Sequence, residues 1–157
     1  MKSKTNAMRR LDTAKIAYEV LEYTVDENDL SGTHVADELG LDHDMVFKTL
    51  VAKGDKTGHV VFCLPVDAEL DLKKAARVTG NKRIEMVHVK ELLALTGYIR
   101  GGCSPIGMKK AFPTFFHETV LLQEKITVSS GVRGAQLLLS AAALLPFLGA
   151  ATADLTL

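Results

Sequence analysis

Apolar residues recur at helical spacing near the start of the chain, where Ala7, Met8, Leu11 and Ala14 predict a helix over residues 6–14. The period then shortens to two. Ile16, Tyr18 and Val20 alternate with Ala17, Leu21 and Tyr23, which predicts a strand over 16–24 with both faces partly covered. Ser31 is placed to cap a short helix ending at Gly40, and Asp42 to cap a further short turn. Residues 46–53 and 59–64 predict two strands joined by the glycine-bounded turn Gly54-Asp55-Lys56-Thr57-Gly58, an antiparallel hairpin. Leu70-Asp71 opens a helix through Lys73, Lys74, Ala75, Ala76 and Arg77 that stops at Gly80. A short strand over 83–87 and a short helix over 89–95, closed by Gly97, follow. Residues 114–123 fit a strand or a helix equally, whereas 125–130 alternate as a strand running into Ser129-Ser130-Gly131-Val132-Arg133-Gly134. Strands and helices mix without a repeating βαβ unit, so the expected class is α+β with a mixed, largely antiparallel sheet.

Composition narrows this picture. A chain of 157 residues with 47% apolar positions is long enough for one compact domain with a substantial core. The uncharged run 134–153 has about the length of a minimal membrane span. Gln136, Ser140, Pro146, Gly149 and Thr152 interrupt it, and no basic cluster follows, so it reads as a buried strand over 137–139 before a short helix capped by Ser140. Nineteen basic residues balance nineteen acidic ones, which removes the global field that drives promiscuous nucleic-acid binding. Any such contact is expected to be local, weak and salt-sensitive. Cys63 and Cys103 lie far apart, and the first ten residues are polar and basic without an apolar stretch; a reducing, cytoplasmic setting with no membrane contact is expected.

Three places could carry chemistry. Gly101-Gly102-Cys103-Ser104-Pro105-Ile106-Gly107, followed by Lys109 and Lys110, fixes an unusual backbone path with N–H groups that no bulky side chain shields. Lys48 shares a strand face with Val46, Leu50 and Ala52, an awkward position for a charge unless the strand opens onto a cavity. It can hold a phosphate or a carbonyl oxygen as a point charge, or can equally be an edge lysine that snorkels to water. Thr49 faces the other way. Ser129, Ser130, Gly131 and Arg133 place hydroxyls, open N–H groups and a guanidinium together, a set that can grip phosphate or ribose and that also occurs in ordinary turns. The five histidines show no metal-ligand spacing, Cys103 has no histidine beside it in sequence, and neither a Walker loop nor a dinucleotide fingerprint is present, so no metal or cofactor is expected.

Val46-Phe47-Lys48-Thr49-Leu50-Val51, Gly97-Tyr98-Ile99-Arg100 with the glycine loop to Gly107, and Val128-Ser129-Ser130-Gly131-Val132-Arg133-Gly134 together resemble the YbaK-type aminoacyl-tRNA deacylases, in order and spacing across nearly the whole chain. That family is related to the editing domain of bacterial prolyl-tRNA synthetases. The resemblance implies a barrel-like mixed sheet flanked by short helices, with the pocket between the lysine strand and the glycine loop. It implies trans-editing of misacylated tRNA, with cysteine on tRNA(Pro) as substrate, the tRNA acceptor end as partner and prolyl-tRNA synthetase as a possible second one. Lys48 matches the essential lysine, Thr49 its pocket neighbour, Gly101 with Gly102 the backbone facing the ester, Ser129 the hydroxyl near the terminal nucleotide, and Tyr23 a pocket tyrosine. Gln136 stands where cysteine-specific members carry aspartate, and Cys103 where they carry an aliphatic residue. Lys73, Lys74, Arg77, Lys109, Lys110 and Arg133 are the cations expected along the path of the acceptor end.

Overall fold

The computed structural model describes residues 3–157. Among them the chain forms α1 (Asn6–Thr13), β1 (Tyr18–Glu22), α2 (Gly32–Leu39), β2 (Phe47–Gly54), β3 (Gly58–Pro65), α3 (Leu72–Thr79), β4 (Ile84–Met86), α4 (Val89–Thr96), β5 (Thr114–His117), β6 (Lys125–Ser129), β7 (Ala135–Ser140), α5 (Ala141–Leu148) and β8 (Ala151–Ala153). The helix starts follow the capping logic of the sequence. Thr5, Ser31, Asp71 and Ser140 each accept a backbone N–H of the first turn, and Gly40, Gly80 and Gly149 close their helices in the left-handed conformation.

Two sheets result. One has the order β1-β7-β6 and is antiparallel; the other, β4-β2-β3-β5-β8, is mixed because β5 runs parallel to both β3 and β8. Among the described residues the sheets meet at a single bridge, Val46 to Thr127, so the arrangement curls like a barrel without closing. The ambiguous stretch 114–123 resolves into both possibilities in turn, strand β5 and then a 3-10 helix over Glu118–Leu122. The C-terminal uncharged run becomes β7, α5 and β8, and among the described residues no helix is long and apolar enough to cross a membrane.

Strand β2 divides the interior. Phe47 and Val51 on one face join Cys63, Phe116, Ile126, Val128, Leu137 and α1 in the main core, while Ala52 on the other packs with Val60, Phe62, Leu64 and the α3 residues Ala75 and Ala76. Lys48 and Leu50 share that second face, as their spacing predicts. The β2–β3 turn is clamped to α3 by buried Asn81, whose amide oxygen accepts from Lys56 N (2.8 Å) and Thr57 N (3.0 Å) and whose nitrogen donates to the Thr57 and Thr79 hydroxyls. A Cβ at Gly54 would overlap that amide, so the glycine makes room for the clamp. Asn81→Ala leaves two backbone donors unpaired and is expected to cost about 2–4 kcal/mol, read as a lower urea midpoint at unchanged slope; an unchanged midpoint would remove Asn81 from the framework.

Candidate active site

Along its second edge β2 pairs with β4 only at Ala52, Lys53 and Gly54, and beyond its other end Val46 bridges to β6. Between these two contacts no strand of the described residues pairs with the edge. The opening is a cavity of about 380 Å³ whose walls include Lys48, Thr49, Leu50, Val51, Arg100, Gly101, Cys103, Ser129 and Gln136. Three remote stretches of sequence are thus brought together where a strand is missing.

Lys48 is half-buried. Its ammonium reaches the Val66 carbonyl at 3.4 Å, and burial pulls its pKa below the ordinary lysine value, opposed by the nearby carboxylates of Glu69 and Asp67. A positive charge held in a partly desolvated wall is strongly attracted to an incoming anion or ester oxygen. The Thr49 hydroxyl lies 3.7 Å from the Cys63 sulfur, on the core face.

The glycine loop is a turn in which the Gly102 N–H donates to the Ile99 carbonyl at 2.9 Å. That donor is therefore committed, and Gly101 is the glycine of the pair that lines the cavity. Gly101 has φ +84°, and a Cβ there would come within 3.2 Å of the Arg133 Nε, which itself donates to the Arg100 carbonyl at 2.8 Å. Cys103 also lines the cavity, while Ser104 to Gly107 support it from behind. Buried Ser104 accepts from Ile106 N, Pro105 and Ile106 are buried, and the Ile106 carbonyl takes the buried Tyr98 hydroxyl at 2.6 Å. Asn6 donates to the Gly107 carbonyl, Thr5 to the Ser130 carbonyl, and the Tyr98 ring lies where a Cβ on Gly131 would be, so α1 and Tyr98 tie the two loops into one unit.

Ser129 lines the cavity with its hydroxyl accepting from Gly131 N at 3.2 Å. Gln136 is buried beside it, its amide oxygen accepting from the Thr127 hydroxyl at 3.1 Å. Ser130, Gly131 and Arg133 stand behind this wall, and Tyr23 is not among the lining residues; its backbone pairs with the Gly134 carbonyl instead. Of the expected cations, Lys74 is spent on the Asp154 carboxylate (2.8 Å) and the Thr156 carbonyl, while Lys73 and Arg77 are exposed on α3 away from the cavity. The sequence reading missed Arg100 and His88, both on the wall. Arg100 had a signal, since it directly precedes the glycine pair; His88 is placed by the β4–α4 junction and had none.

Cys103 is buried, which pushes its thiol up to about 11, with the Thr96 hydroxyl pulling weakly the other way. At neutral pH it is a thiol wall residue. Cys103→Ala is expected to change kcat/KM by less than about threefold, in keeping with a modest change in wall shape, and the wild-type protein to react slowly with a thiol reagent; a large loss of activity would return Cys103 to the chemistry. Among the described residues no group of three His, Cys, Asp or Glu is placed to hold a metal ion.

Residues 30–147 match the family model of the aminoacyl-tRNA editing domain. The chain is 49% identical over 153 residues, 98% of its own length and 93% of the other's, to EbsC of Enterococcus faecalis (strain ATCC 700802 / V583), provisionally named a Cys-tRNA(Pro)/Cys-tRNA(Cys) deacylase. Its fold is similar to that of a crystal structure described, also provisionally, as a trans-editing enzyme for prolyl-tRNA synthetase (27% identity, TM-score 0.84, 99% of both chains). A hypothetical protein, APE2540, shares the fold at 20% identity (TM-score 0.88, 98% of this chain and all of that one). With the lysine strand, the glycine loop and the serine turn meeting at one cavity inside the matched region, this chain belongs to the aminoacyl-tRNA editing domain family.

Proposed function

We propose that the protein is a trans-editing deacylase that removes cysteine from tRNA(Pro), with the aminoacyl ester held between Lys48 and Thr49 on one wall and Gly101 on the other. The observation that carries this reading is the chemistry of the cavity. Among the described residues its wall holds Lys48, Arg100 and His88 and no carboxylate, and burial keeps the thiol of Cys103 protonated. Such a wall attracts the phosphate and ester of an acceptor end but supplies no activated protein nucleophile.

The substrate's own thiol fills that role. Its sulfur attacks the ester carbonyl carbon, the C–O bond to the ribose breaks, the ribose oxygen takes the proton that the thiol releases, and a cyclic thiolactone leaves the intact tRNA. Proximity within one substrate replaces a catalytic base, and backbone donors at the cavity wall stabilise the developing oxyanion. Lys48 neutralises the terminal phosphate and Ser129 contacts the terminal ribose. Gln136 lines the cavity with a neutral amide, so the site does not rely on a charge there to recognise the side chain. Prolyl-tRNA synthetase supplies the specificity for tRNA that a chain of zero net charge lacks.

Editing of this kind answers a known weakness of selection by size, where a small difference in bulk is worth only about 1–3 kcal/mol. The test is deacylation of tRNA(Pro) charged with cysteine, serine, alanine or proline. Release of cysteine with little release of serine is expected; equal rates on cysteine and serine would replace substrate-thiol attack with water attack, and no release from any of the four would sink the reading.

A further inference from the structure

The gap beside β2 has a main-chain consequence. In an antiparallel pair, opposed residues alternate between those that exchange both backbone hydrogen bonds and those whose N–H and C=O point away from the partner strand. Val51 and Val61 are opposed, yet Val51 C=O accepts from Val87 N (3.2 Å) and Val61 N donates to Pro113 C=O (2.9 Å), each on the far side of the hairpin. They are therefore an outward-pointing pair. Two residues along, Thr49 opposite Cys63 has the same parity, and its N–H and C=O point into the gap. Val46 fits the alternation, because its carbonyl accepts from the opposed Val66 N at 2.9 Å. The Val51 carbonyl is taken by the chain entering α4, and Val46 is bridged to β6. Thr49, which lines the cavity, has its backbone donor and acceptor on a stretch of this edge where the described residues form no strand pairing.

Thr49 is half-buried, and main-chain groups on an unpaired strand edge are a template for pairing with another extended segment. A donor and an acceptor on one residue of an extended strand are complementary to one residue of an opposing strand, which is an α-amino acid carrying a nitrogen donor and a carbonyl acceptor. Resting on the deacylase reading above, we infer that the aminoacyl group of the substrate pairs with Thr49 as a single residue of the missing strand. Its α-ammonium donates to the Thr49 carbonyl, and its ester carbonyl accepts from the Thr49 N–H. A carbonyl oxygen has two lone pairs, so this leaves one for the Gly101 loop. The pairing is blind to the substrate's side chain and sets its direction. Opposed residues of an antiparallel pair project to the same face, so an L-residue sends its side chain to the face of Phe47, Val51 and Cys63, where Cys103 also packs. A D-residue held by the same two bonds sends it to the Lys48 and Leu50 face.

Two measurements on the full chain test this. Amide hydrogen exchange by NMR is expected to show Thr49 exchanging fast in the free protein beside slow Lys48 and Leu50, whose N–H groups face β3. Addition of 3′-deoxy-3′-(L-cysteinylamino)adenosine, a non-hydrolysable mimic, slows Thr49 at least about tenfold, as pairing of an open amide should. The second compares tRNA(Pro) carrying L-cysteine, D-cysteine or 3-mercaptopropionate, all of which keep the thiol and the ester. The desamino and D substrates should each lose about ten- to a hundredfold in kcat/KM, the scale of one charge-assisted hydrogen bond. Binding of the mimic, seen as shifts at Gly101, with Thr49 exchange unchanged would overturn the pairing while leaving the deacylase reading intact. Equal rates on the three substrates would do the same. Neither binding of the mimic nor hydrolysis of L-cysteinyl-tRNA would remove both.

Discussion

Lys48→Ala is expected to lower kcat/KM for cysteinyl-tRNA(Pro) about a hundredfold or more, the range observed for loss of one charged or oxyanion-stabilising contact in a desolvated site. The same substitution should leave the fold intact. A lysine whose folded pKa lies below its unfolded value is harder to keep protonated in the native state, so its burial opposes folding in full below the folded pKa, and the opposition fades as pH rises through the folded pKa and is gone above the unfolded value. At neutral pH Lys48→Met, which keeps the stem and removes the charge, should therefore raise the denaturation midpoint while removing activity. The wild-type rate should in turn fall on an alkaline limb set below the ordinary lysine pKa. A fully active Lys48→Ala enzyme would take the residue out of the mechanism. A variant with both activity and stability lost would make it a structural residue.

Gly102→Ala should be nearly as damaging by a different route. Its φ is not positive, so the backbone itself tolerates alanine; the difficulty is space. An added Cβ would stand 3.0 Å from the Val132 carbonyl carbon and 3.1 Å from Arg133 N, both main-chain atoms with little freedom to yield. The serine turn must move away from the glycine loop, and the two walls that carry Ser129 and Gly101 separate. Overpacking of this kind costs about 1–3 kcal/mol, and a displacement approaching 1 Å at a positioned site costs on the order of a hundredfold in rate. Deacylation kinetics and a urea titration on the same preparation check both. Unchanged kcat with a lowered midpoint would show that the loops adjust without disturbing the site.

Local signals account for what could be read before the fold was known. Asp71 and Gly80 delimit α3 because an N-cap carboxylate and a left-handed glycine act within one turn. The β2–β3 hairpin follows from two alternating runs around a glycine-bounded turn. Residues 114–123 were ambiguous for a physical reason, since four strand residues followed by a five-residue 3-10 helix present no sustained period. Strand β8, three residues long, offers still less, and its parallel pairing with β5 joins segments that share no turn. The three motifs were legible as places, and the resemblance ordered them. Which of their residues line the cavity was not, because Ser104 to Ile106 are as glycine-loop-like in sequence as Gly101 and Cys103 but are turned inward under the Tyr98 hydroxyl.

By itself, then, the sequence determined the helix ends, the central hairpin, the α+β class and the residue types available to a site, all of which depend on neighbours within a few positions. The tertiary structure decided that β4 stops short and that the bridge from this edge to β6 falls at Val46, just before β2, contacts between segments far apart in the chain. That unpaired edge is what makes a cavity of the space beside Lys48, gives Gly101 and Arg100 a wall to share with it, and leaves Thr49 without a paired strand on that side.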